Sequence, residues 1–293
     1  MSLAYSEKIL DFRCQEENLL GIVSTPNAET PAIDLGVIIV VGGPQYRVGS
    51  HRQFVLLARS LAESGIITMR FDYRGMGDSS GSMRDFLAIT PDIKASIDAM
   101  LGSQPSLRRI VLWGLCDGAS ASLIYCDDTH DARVHGLAVL NPWVRSAESL
   151  ARTQVKHYYL QRLRQPEFWR KLISGKVAAS AISGLWMKIR QATQSAPGDP
   201  AHQLAFPNRM ARAWATDNKK TLLVLSGQDY TAKEFLEVCY SCDRWKQLLN
   251  NCFTQRYDLL NADHTFSDPA STDLVASMTV NWLTSSSNFP IGG

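Results

Sequence analysis

Short unbroken apolar runs alternate along this chain with stretches of helical spacing. Residues 37–41, Val37-Ile38-Ile39-Val40-Val41, carry no polar side chain, the mark of a strand buried on both faces. Phe54, Leu57, Ala58 and Leu61 then recur at helical spacing, residues 66–70 return to strand, Ile93, Ile97 and Leu101 repeat the helical pattern, and residues 110–113 are strand again. Residues 9–13 and 19–24 predict a leading hairpin. Strand and helix in turn predict right-handed crossovers and a mainly parallel sheet with helices on both faces, an α/β fold.

After residues 136–140 the alternation stops. Between about residues 143 and 217 the apolar spacing is helical and includes Trp143, Tyr158, Tyr159, Phe168, Trp169, Trp186 and Trp214. A segment of that length between two core strands does not fit a loop, so it is expected to form a helical cap, with some of its rings roofing an apolar pocket. The division that follows is a first part of the core over 1–142, a cap over 143–217, a second part of the core over 218–285, and a disordered tail, rich in Ser and Gly, over 286–293.

Composition narrows the class. An apolar fraction of 45% and a charged fraction of 20% suit a packed soluble chain, and a net charge of +2 leaves no electrostatic footprint for nucleic acid. Six cysteines, at positions 14, 116, 126, 239, 242 and 252, are too scattered for a disulfide scaffold and favour a reducing, cytoplasmic setting. Cys239-Tyr240-Ser241-Cys242 has C-x-x-C spacing, but further zinc ligands at comparable spacing are lacking, and it reads as structural. Residues 1–10 carry Glu7 and Lys8 without the apolar stretch of a secretory signal, and residues 37–41 are too short to span a bilayer. No integral membrane segment is expected, and the sequence carries no signal for an oligomeric state.

The candidate chemistry sits just after the predicted strands. Gly114-Leu115-Cys116-Asp117-Gly118 follows the run Ile110-Val111-Leu112-Trp113 and reads as a strand-to-helix nucleophile elbow with sulfur in place of oxygen. Downstream, Leu222-Leu223-Val224-Leu225-Ser226-Gly227-Gln228-Asp229 reads as a buried strand ending in a carboxylate. Tyr257-Asp258-Leu259-Leu260-Asn261-Ala262-Asp263-His264 reads as a strand ending in a histidine. Nucleophile, acid, base is the chain order of an α/β-hydrolase triad. Cys116 is the candidate nucleophile, His264 the base, and Asp229 the group that holds the imidazole. Asp263, next to His264, is the alternative acid; Asp229 is preferred because residues ending separate strands can converge. The backbone N–H of Asp117 is the natural first oxyanion donor.

These residues resemble the α/β-hydrolases of the serine-aminopeptidase and monoacylglycerol-lipase-like group. Phe71-Asp72-Tyr73-Arg74-Gly75-Met76-Gly77-Asp78-Ser79-Ser80-Gly81 matches that group's D-x-R-G-x-G-x-S segment after the fourth strand, and the likeness runs over residues 9–285. Within it, Asp72 and Arg74 read as a structural ion pair and turn that fix the Gly-rich loop. More narrowly, Val41-Gly42-Gly43-Pro44-Gln45-Tyr46-Arg47-Val48-Gly49-Ser50-His51-Arg52, taken with the cysteine elbow, is similar to hydrolases that accompany bacterial exosortase systems. The resemblance implies a mostly parallel eight-stranded sheet with a helical cap insertion. It also places the second oxyanion donor after a His-Gly pair, here Gly42-Gly43, so that the donor position falls on Pro44, which has no N–H. A backbone N–H of Gly43 or Gln45, or the Gln45 amide, then has to substitute.

The expected activity is cleavage of a carboxylic ester or thioester in a small acyl substrate through an acyl-cysteine, without metal or organic cofactor. The alternatives are an acyltransferase using the same triad and a non-catalytic ligand-binding protein of the same fold. The narrower resemblance implies a setting beside envelope protein sorting or exopolysaccharide production.

Overall fold

A computed structural model describes residues 4–43, 45–145, 200–216 and 219–289. The chain divides into two units, residues 1–143 with 209–293, and residues 144–208. Most of the second unit, and with it most of the expected cap, lies outside the described residues, as does Pro44.

The larger unit is built on eight strands: β1 (Tyr5–Cys14), β2 (Glu17–Pro26), β3 (Leu35–Val40), β4 (Thr68–Phe71), β5 (Arg109–Leu115), β6 (Val134–Leu140), β7 (Lys220–Ser226) and β8 (Thr254–Leu259). They form one sheet in the order β1-β2-β4-β3-β5-β6-β7-β8. The hairpin pairs antiparallel from Tyr5 with Pro26 to Cys14 with Glu17, β2 continues antiparallel onto β4, and every later pair is parallel. Buried central strands require apolar side chains on both faces, which is why the unbroken runs sit here; every residue of β3 is buried.

The described helices are α1 (Gln53–Glu63), α2 (Thr90–Ser103), α3 (Asp117–Thr129), α4 (Pro200–Ala215), α5 (Tyr230–Ser241), α6 (Asp243–Leu249) and α7 (Pro269–Thr284). Alternation along β3 divides the core. Leu35, Val37 and Ile39 join Phe54, Leu57 and Leu61 of α1 and Val275, Trp282 and Leu283 of α7 in one apolar cluster. On the opposite face, Gly36 abuts Met100 of α2. The chain leaves β3 toward β4 and leaves β5 toward β6, so the neighbours β3 and β5 flank the point where the winding direction reverses. In an open α/β sheet that point opens the crevice in which ligands bind.

Three expectations need correction. Asp72 and Arg74 do not pair with each other. Asp72 accepts from the Arg47 main-chain N–H (2.6 Å), from the Arg47 guanidinium and from Asp78 N–H (3.1 Å), whereas Arg74 donates to Asp92 from N (2.9 Å), Nε (2.9 Å) and Nη2 (2.8 Å). Neither Asp229 nor His264 ends a strand: β7 stops at Ser226 and β8 at Leu259, and both side chains stand in the loops that follow. Finally, residues 286–289 are not disordered. They form a turn that seats Phe289, 6% exposed, edge-on against Trp282 with ring centroids 5.1 Å apart, because an apolar ring near a chain end gains by covering the sheet. Residues 290–293 lie outside the described set.

Arg74 and Asp92 are 4% and 0% exposed, so loss of one charge leaves the other desolvated without a partner. Asp92→Asn is expected to lower the unfolding free energy by about 3–5 kcal/mol in urea titrations. A change below about 1 kcal/mol would mean that water reaches the guanidinium and that the pair is not a buried one.

Candidate active site

Cys116 joins β5 to α3 in a single residue at φ 59°, ψ −124°. A positive φ is uncommon outside glycine and costs about 1–3 kcal/mol, so the surroundings must impose it. They do so through the backbone. Cys116 N–H donates to the Leu140 carbonyl (2.9 Å), and the Cys116 carbonyl accepts from the N–H groups of Ala119 (3.1 Å), Ser120 (3.2 Å) and Trp143 (3.2 Å). Missing side chains let the segments close in: a Cβ on Gly114 would lie 2.5 Å from Ala119 N, one on Gly118 would overlap the Val40 carbonyl, and one on Gly42 would lie 2.6 Å from Gly118 N. The cysteine is left half-buried at the N-terminus of α3.

His264 and Asp229 reach this sulfur from the loops after β8 and β7. His264 Nδ1 donates to Asp229 Oδ2 at 2.8 Å, and the Cys116 side chain lies beside the ring. The hydrogen bond to Asp229 and the neighbouring Cys116 outweigh burial and push the His264 pKa up from 6.5 to about 10. Asp229 is 6% exposed. Burial alone would raise its pKa, but the His264 contact and the N–H groups of Thr231 (3.0 Å) and Ala232 (3.1 Å), which it accepts as N-cap of α5, bring it below the usual carboxylate value. Asp263 is engaged elsewhere. Its carboxylate accepts from Thr265 N–H (3.2 Å), Ser267 N–H (2.9 Å) and the Ser267 hydroxyl, shaping the loop beyond His264.

Of the expected oxyanion donors, Gly43 lies at φ 62° beyond the end of β3 and Asp117 opens α3. The Gln45 side chain is partly committed: its Oε1 accepts from Ser50 N–H at 3.3 Å. The Asp117 carboxyl packs against Gly42, and its Oδ1 has no hydrogen-bond partner. Burial raises the pKa of this carboxyl; the nearby N–H groups of Gly43, Asp117 and Gly118 oppose the rise without cancelling it. The N–H groups of Gly43, Asp117 and Gly118 thus lie beside the Asp117 carboxyl. Sequence reasoning missed Arg47, which ties the loop after β3 to buried Asp72 and to Asp78. Residues 41–52 carry two arginines, Arg47 and Arg52, and the local sequence does not single out Arg47.

The profile of the family described as Serine aminopeptidase, S33 (Hydrolase_4) matches residues 36–227, more than half of the chain. No curated protein matches the sequence significantly. Among solved structures, the chain is similar to a Pyrococcus furiosus esterase at 16% identity and TM-score 0.64, over 96% of this chain and 91% of that one. It is similar at the same identity and TM-score to Est1E of Butyrivibrio proteoclasticus, solved with ferulic acid bound, over 94% and 97%. A third likeness, at 11% identity and TM-score 0.58 over 95% and 98%, is to a predicted CIB-like hydrolase of Thermoplasma acidophilum. At these identities the structures speak to the fold. The family match carries more, and with an eight-stranded α/β-hydrolase sheet and the elbow at its switch point, the chain belongs to the S33 serine aminopeptidase family.

Proposed function

We propose that the protein is a hydrolase that cleaves a carboxylic ester or thioester through an acyl group carried on Cys116. The observation that supports this reading is the convergence of Cys116, His264 and Asp229, with His264 bonded to Asp229 and beside Cys116, at a strand-to-helix turn whose backbone is held in a costly conformation. In this mechanism the thiolate attacks the carbonyl carbon and the developing oxyanion draws on the N–H of Asp117 and on an N–H of the loop after β3. His264 gives its proton to the leaving alkoxide or thiolate. It then takes a proton from water, which attacks the thioester and frees the acid and the thiol.

An ester or thioester is favoured over an amide on chemical grounds. A thiolate is itself a good leaving group, so its adduct on an amide reverts unless the amine leaves protonated. The family description names an aminopeptidase, and the test therefore includes an amide arm. The narrower resemblance, carried by residues 41–52 and the elbow, would set this activity beside an exosortase or exopolysaccharide system.

Iodoacetamide at pH 6 followed by peptide mapping is expected to label Cys116 well before Cys14 and Cys239. Burial pushes up the pKa of both of those thiols, that of Cys239 to about 12. His264→Ala is expected to move Cys116 labelling to higher pH. Labelling of Cys116 no faster than of Cys239 would sink the cysteine mechanism and leave a ligand-binding protein of this fold.

Aryl esters, acyl thioesters and aminoacyl anilides form the substrate panel, with intact-mass detection of the acyl adduct. Turnover is expected on the first two, and Cys116→Ala should cost at least about 1000-fold. Anilide turnover exceeding ester turnover would reassign the protein to amide cleavage.

The imidazole also sets a pH signature in stability. Because the folded His264 pKa is about 10 against an ordinary 6.5, the folded state keeps a proton that the unfolded chain releases. Its contribution is complete below pH 6.5 and is lost as pH rises toward 10. The stability difference between wild type and His264→Ala should shrink across that window in denaturant titrations; a flat difference would show that the ring is not held as an imidazolium.

A further inference from the structure

Asn141 follows β6 as a fully buried polar residue at φ 43°, in the left-handed region that asparagine enters more readily than most side chains. Its amide is used at every polar position that points toward the site. Oδ1 accepts from Ser226 N–H (2.8 Å), and Nδ2 donates to Ser226 Oγ (2.8 Å) and to the His264 carbonyl (3.0 Å). Ser226 Oγ passes its own proton to the Asp263 carbonyl at 2.7 Å. Asn141 is in turn seated on the sheet by its main-chain N–H, which donates to the Val224 carbonyl (3.1 Å).

The two carbonyls reached in this way belong to the peptides on either side of the His264 Cα. Between the β7 and β8 segments the main-chain bonds run from Gly227 N–H to Leu259 (2.9 Å) and from Gln228 N–H to Ala262 (3.1 Å). Among the described residues that ladder stops there, two residues short of His264. Asn141 and Ser226 take over at that point. Ser226 also ends β7, three residues before Asp229, so a single pair of side chains spans from the segment that carries the acid to the peptides that carry the base.

We infer that Asn141 and Ser226 are positioning residues for His264, holding the main chain on both sides of it at the separation from β7 that lets its imidazole meet Asp229. The geometric part stands on the hydrogen bonds alone, while the kinetic consequence rests on the proposed function. Asparagine is demanded by the count of partners, one donor to accept from and two acceptors to serve. Aspartate has the same shape and no N–H, so it would set a carboxylate oxygen against the His264 carbonyl. Loss of either partner leaves buried polar groups unpaired, which a main chain relieves by shifting.

The test uses Ser226→Ala, which removes one hydroxyl, and Asn141→Asp, with circular dichroism to establish folding. One readout is the low-field proton resonance of His264 Nδ1–H, assigned by its disappearance in His264→Ala; the other is kcat and KM on the aryl ester. Both variants are expected to shift or broaden that resonance and to lower kcat by about 10-fold to 100-fold with KM little changed, since a small displacement of a catalytic group falls on the chemical step. The inference is overturned if the folded variants keep the wild-type resonance and kcat and lose only thermal stability. Should Asn141→Asp fail to fold, Ser226→Ala decides by the same criteria. Should wild-type Cys116 form no acyl adduct, the proposed function falls, and the Nδ1–H resonance still decides whether Asn141 and Ser226 position the ring.

Discussion

A side chain can stand exposed at the end of a buried strand only if the chain turns from strand to helix within one residue, and here that turn depends on three backbones closing to contact. β3, β5 and α3 meet where Gly42, Gly114 and Gly118 remove the Cβ atoms that would otherwise hold them apart. Their approach forces Cys116 to positive φ, and the Leu140 carbonyl and three N–H groups of α3 and Trp143 keep it there. Strain of about 1–3 kcal/mol at one residue is small beside the burial of the strands it connects, so the sheet can maintain it. The exposed position of the Cys116 side chain thus follows from one packing constraint.

That constraint explains which parts of the site were legible in the sequence. Glycines flanking a cysteine after an apolar run point to a tight turn because only glycine suits such close approach, and the elbow stands where residues 114–118 indicated. Strand cores were readable for the same kind of reason: a strand covered on both faces cannot carry polar side chains, so β3, β5 and β7 are marked by their composition. Boundaries were less legible. β8, at the sheet edge, is only partly buried, and its pattern gave no reason to stop at Leu259 rather than continue to His264. Partners at long range were not legible at all. Nothing local distinguishes Arg47 as the mate of Asp72, or Asn141 as that of His264, because each pairing exists only once crossovers bring distant loops together.

The carboxylates of this region each have their own set of donors. Asp72 is fully buried and answers Arg47 and the turn at Asp78, which braces the loop after β3 from below. Asp263 folds back on Thr265 and Ser267 and stays off the imidazole. Asp117 is the exception, a carboxyl with an unpartnered oxygen and a raised pKa beside the N–H groups that an oxyanion would need. Ionised, it competes with that oxyanion for the same donors and repels it; protonated, it does neither. Burial pushes it toward the protonated form, which is the state compatible with acyl transfer.

Asp229 shows why the remaining acid acts through electrostatics and orientation. One oxygen accepts from Thr231 N–H, and the other accepts from both Ala232 N–H and His264 Nδ1. Against burial, which raises its pKa, the His264 contact and then these two N–H groups of the first turn of α5 bring the carboxylate below its usual value. A carboxylate that weakly basic does not take the imidazole proton. By accepting from Nδ1 it fixes the orientation of the ring and favours its protonated form. The hydrogen bond to Asp229 is the largest cause of the raised His264 pKa, followed by the neighbouring Cys116, and burial opposes both. The N-terminus of α5 and the imidazole thus meet on one carboxylate: together they hold Asp229 ionised, and ionised Asp229 in turn favours the protonated form of His264.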